Sequence, residues 1–307
     1  MTNLDQKKYL PEAFIPKNGI NLEVKSFTTK NPDFKIKYKK ILNKFKKKNY
    51  AEASALIERS QKKYPKSPEL WSLKALILQN KGRFKESVYA FEKVIELEPS
   101  RPANHTNLGL ALEKLGKIDA AIIQYNKAIT ADRNYATAYY NLGCLFLEKA
   151  DLANAIKKFK SALEIKFDFP EALIGLGKAL ELEGKKDEGV KCFNLALKYS
   201  PKSFEGRLNL GLVSKSQGNF ENAELIFRTL GQEFPNNPNI KLFLAEVLNK
   251  TSREIDALRL LVPLLETDEN NINFLYEAAL SCRGLKRYED AFIYLKKINE
   301  IEPNNAA

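Results

Sequence analysis

The 307 residues are 44% hydrophobic and 29% charged, a balance that supports a buried core and excludes a disordered tail. The formal charge of +12 sits at one end: residues 1–48 hold thirteen Lys against four acids, a balance of +9, so the remainder carries no strong single-sign field. Lys outnumbers Arg forty to ten, and because phosphate and base readers rely on the planar Arg fork, nucleic acid is disfavoured as a partner.

Residues 1–33, with Pro11, Pro16 and Pro32, read as an irregular basic extension. Nothing between Met1 and Ile20 is apolar for long enough to be a signal peptide or a membrane span. Cys144, Cys192 and Cys282 are odd in number and far apart, which points to a reducing, cytoplasmic compartment and away from a disulfide framework. Asn31, Pro32 and Asp33 then form a helix start, with Asn as cap and Pro in the first turn. The helix that follows is basic and amphipathic: Lys35, Lys37, Lys39, Lys40, Lys44, Lys46, Lys47 and Lys48 interleave with Ile36, Tyr38, Ile41, Leu42 and Phe45. Two readings stay open, a patch for an anionic partner or a solvated capping helix. Binding through it would be steeply salt-dependent, and an anionic membrane, like nucleic acid, is the less favoured partner.

From residue 34 onward the sequence aligns to itself at a shift of 34 without a gap, giving units 34–67, 68–101, 102–135, 136–169, 170–203, 204–237, 238–271 and 272–305. The twentieth position of every unit is small: Ala53, Ser87, Ala121, Ala155, Gly189, Ala223, Ala257 and Ala291. The eighth is small in the last seven, from Ala75 through Gly109, Gly143, Gly177 and Gly211 to Ala279. Small residues at both points let two helices approach closely. The twenty-fourth position supplies a large apolar plug, among them Ile57, Phe91, Tyr125, Phe159, Phe193 and Phe227. Pro65, Pro99, Pro201, Pro235 and Pro303 close second helices, and Gly82, Gly116, Gly184 and Gly218 break the units in the middle. Each unit is therefore predicted to be helix, turn, helix, turn.

The run Asn141, Leu142, Gly143 followed by Ala155, Phe159 and Ala162, and the set Trp71, Ala75, Phe84, Phe91 and Pro99, resemble the tetratricopeptide repeat consensus. The resemblance covers residues 34–305 and departs most in the first unit, where Lys40 and Ile41 replace the usual Leu and Gly. It implies an all-α, right-handed superhelical solenoid of eight helical hairpins whose first helices line a concave groove, and a protein-binding adaptor or scaffold that is not an enzyme and needs no cofactor. A second reading it allows is a substrate-recruiting region serving a glycosyltransferase or sulfotransferase.

On the sixth position stand Asn107, Asn141 and Asn209, with Gly175 interrupting the series. The set resembles the asparagine ladder of the O-linked N-acetylglucosamine transferase superhelix, and an Asn side chain can pair with both N–H and C=O of a passing backbone. Either these residues contact a peptide or they are polar because the groove is wet. Thr106 and Tyr140 at the fifth position and Lys178 at the ninth would tune selectivity. The sole histidine, His105, reads as a packing residue, and no metal or nucleophile set assembles around it. The sequence stops without an added polar helix, so Leu295 and Ile298 are expected to be uncovered, and two readings stay open, an end-to-end homodimer or a longer polypeptide whose next segment caps the array.

Overall fold

A computed structural model describes residues 31–303. Among these residues there are sixteen helices and no strand. They are α1 (Pro32–Lys46), α2 (Tyr50–Lys63), α3 (Pro68–Asn80), α4 (Phe84–Leu97), α5 (Pro102–Lys114), α6 (Ile118–Ala131), α7 (Ala136–Glu148) and α8 (Leu152–Ile165). There follow α9 (Pro170–Leu182), α10 (Lys186–Tyr199), α11 (Phe204–Ser216), α12 (Phe220–Glu233), α13 (Pro238–Lys250), α14 (Glu254–Thr267), α15 (Ile272–Gly284) and α16 (Tyr288–Ile301). Paired in order they make eight hairpins, one per 34-residue unit. Pro32 and Asp33, assigned by the repeat frame to the irregular extension, are instead the first turn of α1: the Asn31 side chain accepts from the Asp33 N–H at 2.9 Å. The rest of that extension, residues 1–30, lies outside the described residues.

The helix stops obey one rule throughout. The fifteenth residue of every unit adopts the left-handed conformation that turns the chain back on itself. Gly82, Gly116, Gly184 and Gly218 do so without steric cost, at φ of 72°, 78°, 91° and 79°. Lys48, Ala150, Ser252 and Lys286 adopt it too, at φ between 56° and 60°, where a Cβ crowds the following carbonyl. Ala150→Gly is therefore expected to raise unfolding stability by about 0.5–1 kcal/mol, and Gly116→Ala to lower it by a similar amount; denaturant midpoints at constant m-value would check both. Second helices end two residues before each proline, and α6, α8 and α14 end at the same register although Arg133, Phe167 and Glu269 replace it.

Contacts divide the chain into two compact bodies after Leu176, within α9. In the first, the repeat positions explain the packing. The Phe159 ring is fully buried and lies against Gly143, where an added Cβ would come within 2.7 Å, and against Gly175, where it would come within 2.5 Å. A glycine at the eighth position thus makes room for the plug at the twenty-fourth. The twentieth position has a different task, visible in α3 and α4: Ser87 Oγ donates to the Ala75 carbonyl at 2.9 Å, so the helices touch where a small side chain meets backbone. In the second body a Cβ on Gly189 would sit 2.8 Å from the Gly177 carbonyl, the same contact made by bare backbone. First helices also pack on one another, α1 on α3 and α5 on α7 in the first body, α13 on α15 in the second.

Candidate functional site

The packing of α5 and α7 builds a wall from the fifth, sixth and ninth residues of successive units. Both helices are buried nearly all round, over residues 104–112 in α5 and 140–145 in α7, with the small residues at the eighth position turned toward the plugs of α6 and α8. On α5 the wall carries Thr106, Asn107 and Leu110, and on α7 Tyr140, Asn141 and Cys144. All six are buried.

Asn141 is 2% exposed and Asn107 5%. Neither the amide nitrogen nor the amide oxygen of Asn141 meets a hydrogen-bond partner in the protein, and Asn107 Oδ1 also meets none. A polar group shielded from water and left in this state costs about 1–3 kcal/mol, so native proteins keep few of them. Asn209, the third residue predicted for the series, belongs to the second body, where its Nδ2 donates to the Glu205 carbonyl at 2.8 Å on its own helix. Gly175 breaks the series for a steric reason, because a side chain there would strike the Phe159 ring.

The residues expected to tune selectivity fare differently. Thr106 Oγ1 donates to the Pro102 carbonyl at 3.1 Å. Tyr140, expected from the sequence to tune selectivity, is fully enclosed between Phe159 and Phe169, with ring centroids 6.0 and 5.1 Å away. Its faces are occupied by core aromatics, so its part in the wall is to shape it. Lys178 is buried in the second body, where its charge acts on Glu181. Burial pushes the Glu181 carboxyl up, opposed by the positive charges of Lys178, Lys186 and Lys215.

Around that pair lies a polar network that sequence reading missed. Lys215 pairs with Glu246, and its ammonium stands 5.3 Å from the centre of the Phe243 ring. Asn249 Nδ2 donates to the Glu277 carboxylate at 2.9 Å and to its backbone carbonyl at 3.1 Å, while Ser281 Oγ donates to Asn249 Oδ1 at 2.7 Å. Burial raises the Glu277 carboxyl, and the Asn249 hydrogen bond works against that shift. The available signal was register: Lys178 and Glu246 share the ninth position, and Glu181, Lys215 and Asn249 share the twelfth.

The lysine cluster of α1 is divided by its neighbours. Lys37 pairs with Asp33 at 3.0 Å and Lys44 with Glu52 at 2.8 Å, while Lys39, Lys40, Lys46, Lys47 and Lys48 point into solvent, as does Lys35. Asp33 also accepts from Lys63 at 3.0 Å and Tyr64 at 3.1 Å, and these donors hold its carboxyl down at about 2, with Lys37 the strongest cause. On α5, His105 is buried with one ring nitrogen 2.9 Å from Gln124 Oε1 and the other 2.9 Å from the Pro99 carbonyl, so both are engaged in packing. The three cysteines are free thiols, and the described residues hold no cluster of metal-ligating side chains. No described helix is long and apolar enough to cross a membrane.

Eight in-register helical hairpins, closed by small residues and plugged by large apolar side chains, define a helical-repeat protein. The tetratricopeptide repeat model matches residues 68–101, 136–169, 170–203 and 272–305, and a second TPR repeat model matches 114–149. With about half of the sequence matched, the chain belongs to the tetratricopeptide repeat family, whose members generally mediate protein–protein interaction or assembly. A search of curated proteins found no match. Among solved structures, a tetratricopeptide repeat protein from Parabacteroides merdae superimposes with a TM-score of 0.59 at 22% identity, over 78% of this chain and 94% of that one. PilW, described as a type IV pilus biogenesis factor, gives 0.61 at 22% identity, over 71% and 99%. The Cut9–Hcn1 hetero-tetramer of the APC/C gives 0.65 at 16% identity, over 83% of this chain and 50% of that one. At these identities the likeness is one of fold.

Proposed function

We propose that the chain is an adaptor or scaffold that holds an extended segment of a partner protein against the wall of α5 and α7, with the carboxamides of Asn107 and Asn141 pairing with the segment's backbone. The observation that carries this reading is the unmade hydrogen bonds of the Asn141 carboxamide and of Asn107 Oδ1. A carboxamide that nothing in the protein holds can rotate toward an arriving peptide without breaking an existing bond, and each bond it then makes recovers part of its desolvation cost. Backbone pairing suits neutral wall residues, since it asks for donors and acceptors and not for charge. Cut9 and Hcn1 lie together in one hetero-tetramer, which agrees with a scaffold use of this fold. A cytoplasmic setting fits three free thiols.

The test uses a peptide selected from a displayed random library against the full chain. N-methylating the peptide's backbone amides one at a time, with side chains kept, is expected to weaken binding at least about tenfold at the one or two amides that meet the carboxamides, because each such step removes a hydrogen bond to a desolvated group. If no single methylation matters while side-chain replacements do, the wall reads side chains and the asparagine reading is wrong.

A further inference from the structure

Within the first body, α2 of one hairpin and α3 of the next meet over a cavity of about 270 Å³. Its floor is apolar, made by Ile57 on α2 and by Ile77 and Leu78 on α3, all three buried. Ser54 and Lys74, both half-buried, form its walls, and the exposed Glu58, Lys81, Arg83 and Glu86 form its rim.

Register explains why this joint is hollow. Ser54 is the twenty-first residue of its unit and Lys74 the seventh of the next. At the three joints that follow, the same two positions carry Val88 and Leu108, Ile122 and Leu142, and Ile156 and Leu176, side chains of the size and chemistry that seal one helix against another. Of the seven joints between the eight units, this is the one where both positions are polar. Ser54 lacks the branched carbons that would occupy the space, and Lys74 takes its ammonium to the Trp71 ring, 5.0 Å from its centre.

The polar groups at the mouth say what the cavity takes. Arg83 is engaged by Glu86 through two N–H groups. Lys81 Nζ lies 3.5 Å from Ser54 Oγ, a long hydrogen bond, and neither Lys74, Lys81 nor Glu58 stands in an ion pair among the described residues. Three cations against two carboxylates leave the lining with one positive charge. An ammonium above an apolar floor fits a hydrocarbon body carrying one carboxylate, whereas the second charge of a phosphate or a dicarboxylate would go unmatched beside Glu58. The size agrees: a dry cavity of about 150 Å³ already holds benzene, so this one has room for a ring or a branched chain with its carboxylate, and it is smaller than most sites for drug-sized ligands.

We propose that the joint between the first two hairpins binds a small apolar monocarboxylate. The hydrocarbon part rests on Ile57, Ile77 and Leu78, and the carboxylate accepts from the Lys81 ammonium and the Ser54 hydroxyl. None of these residues belongs to the peptide wall of α5 and α7, and the inference does not depend on it.

Carbon-13 labelling of the isoleucine methyl groups in the full chain, with Ile57 and Ile77 assigned by their Val variants, gives the readout, and 3-phenylpropanoate is the probe. Titration to about 10 mM is expected to move both methyl resonances, with a dissociation constant on the order of 1 mM for a ligand of that size. The alcohol 3-phenylpropan-1-ol has the same body without the charge and is expected to bind about tenfold more weakly. Lys81→Met should weaken the acid by about the same factor and leave the alcohol unchanged. Ser54→Leu, which restores the aliphatic seal of the later joints, is expected to abolish binding, and an undiminished thermal midpoint would show that the cavity is lost and not the fold. Acetyl-Gly-Phe separates the two sources of this chemistry: tighter binding than 3-phenylpropanoate assigns the site to the carboxyl end of a protein chain, weaker binding to a free acid. No movement of Ile57 or Ile77 across the titration overturns the proposal, as does binding that persists in Ser54→Leu. Equal affinity for the acid and the alcohol overturns the carboxylate as the recognised group.

Discussion

Phe159→Ala is expected to lower unfolding stability by about 3–5 kcal/mol, the largest loss from any single truncation in the first body. The ring is fully buried and touches three elements: the α7 backbone at Gly143, the α9 backbone at Gly175, and the ring of Tyr140. Its removal leaves a cavity bounded on two sides by glycine backbone, with no side chain there to lean in and fill it. Collapse is therefore poor, and the cost lies toward the upper end of what large-to-small core changes produce. In a stack of repeats each hairpin is stabilised by its neighbours, so the loss should spread beyond its own unit. Hydrogen exchange should show lowered protection in α7, α8 and the first half of α9 together. A drop confined to α8, or a total below about 1 kcal/mol, would mean that Phe159 is not the joint between hairpins that its contacts make it.

Replacing Asn107 and Asn141 together with Leu is expected to separate stability from binding. The carboxamide of Asn141 has no partner in the folded protein and Asn107 Oδ1 has none, so apolar side chains of similar length remove a desolvation penalty. Unfolding stability should rise, by about 1–3 kcal/mol if the wall accommodates the new methyl groups. Binding of a selected peptide should fall by about 100-fold, since two sets of backbone hydrogen bonds are lost at about 1–1.5 kcal/mol each. Residues that serve folding do not behave in this way. A stability loss of about 1 kcal/mol or more with peptide affinity retained would make the asparagines structural.

Much of the architecture was legible because it is written eight times. A small residue at the twentieth position and a large apolar one at the twenty-fourth in one unit mean little; in register across units they define hairpins, and the helices fall where the repeat puts them. The turn at the fifteenth position was legible only where glycine marks it. Lys48, Ala150, Ser252 and Lys286 take the same left-handed conformation, imposed by the hairpin on residues that carry no signal for it. Local preference was overridden there by tertiary packing.

The wall was half legible. Register placed Asn107 and Asn141 on one surface, but sequence cannot show that Tyr140 beside them is enclosed by Phe159 and Phe169, because those rings come from other parts of the chain. Nor could it show that Asn209 bonds its own helix at Glu205 while Asn141 bonds nothing. The charged network of the second body was missed because Lys215, Glu246, Asn249 and Glu277 look like surface residues until the helices bring them together.

The side-chain amide of Asn141 can be observed directly. With the full chain labelled with nitrogen-15 at asparagine and its resonances assigned by the Asn141→Leu variant, the selected peptide is titrated in. Pairing with the peptide backbone should shift both Asn141 amide protons downfield and slow their exchange with water as the site saturates. Saturation of the peptide with no change at Asn141 would contradict the account.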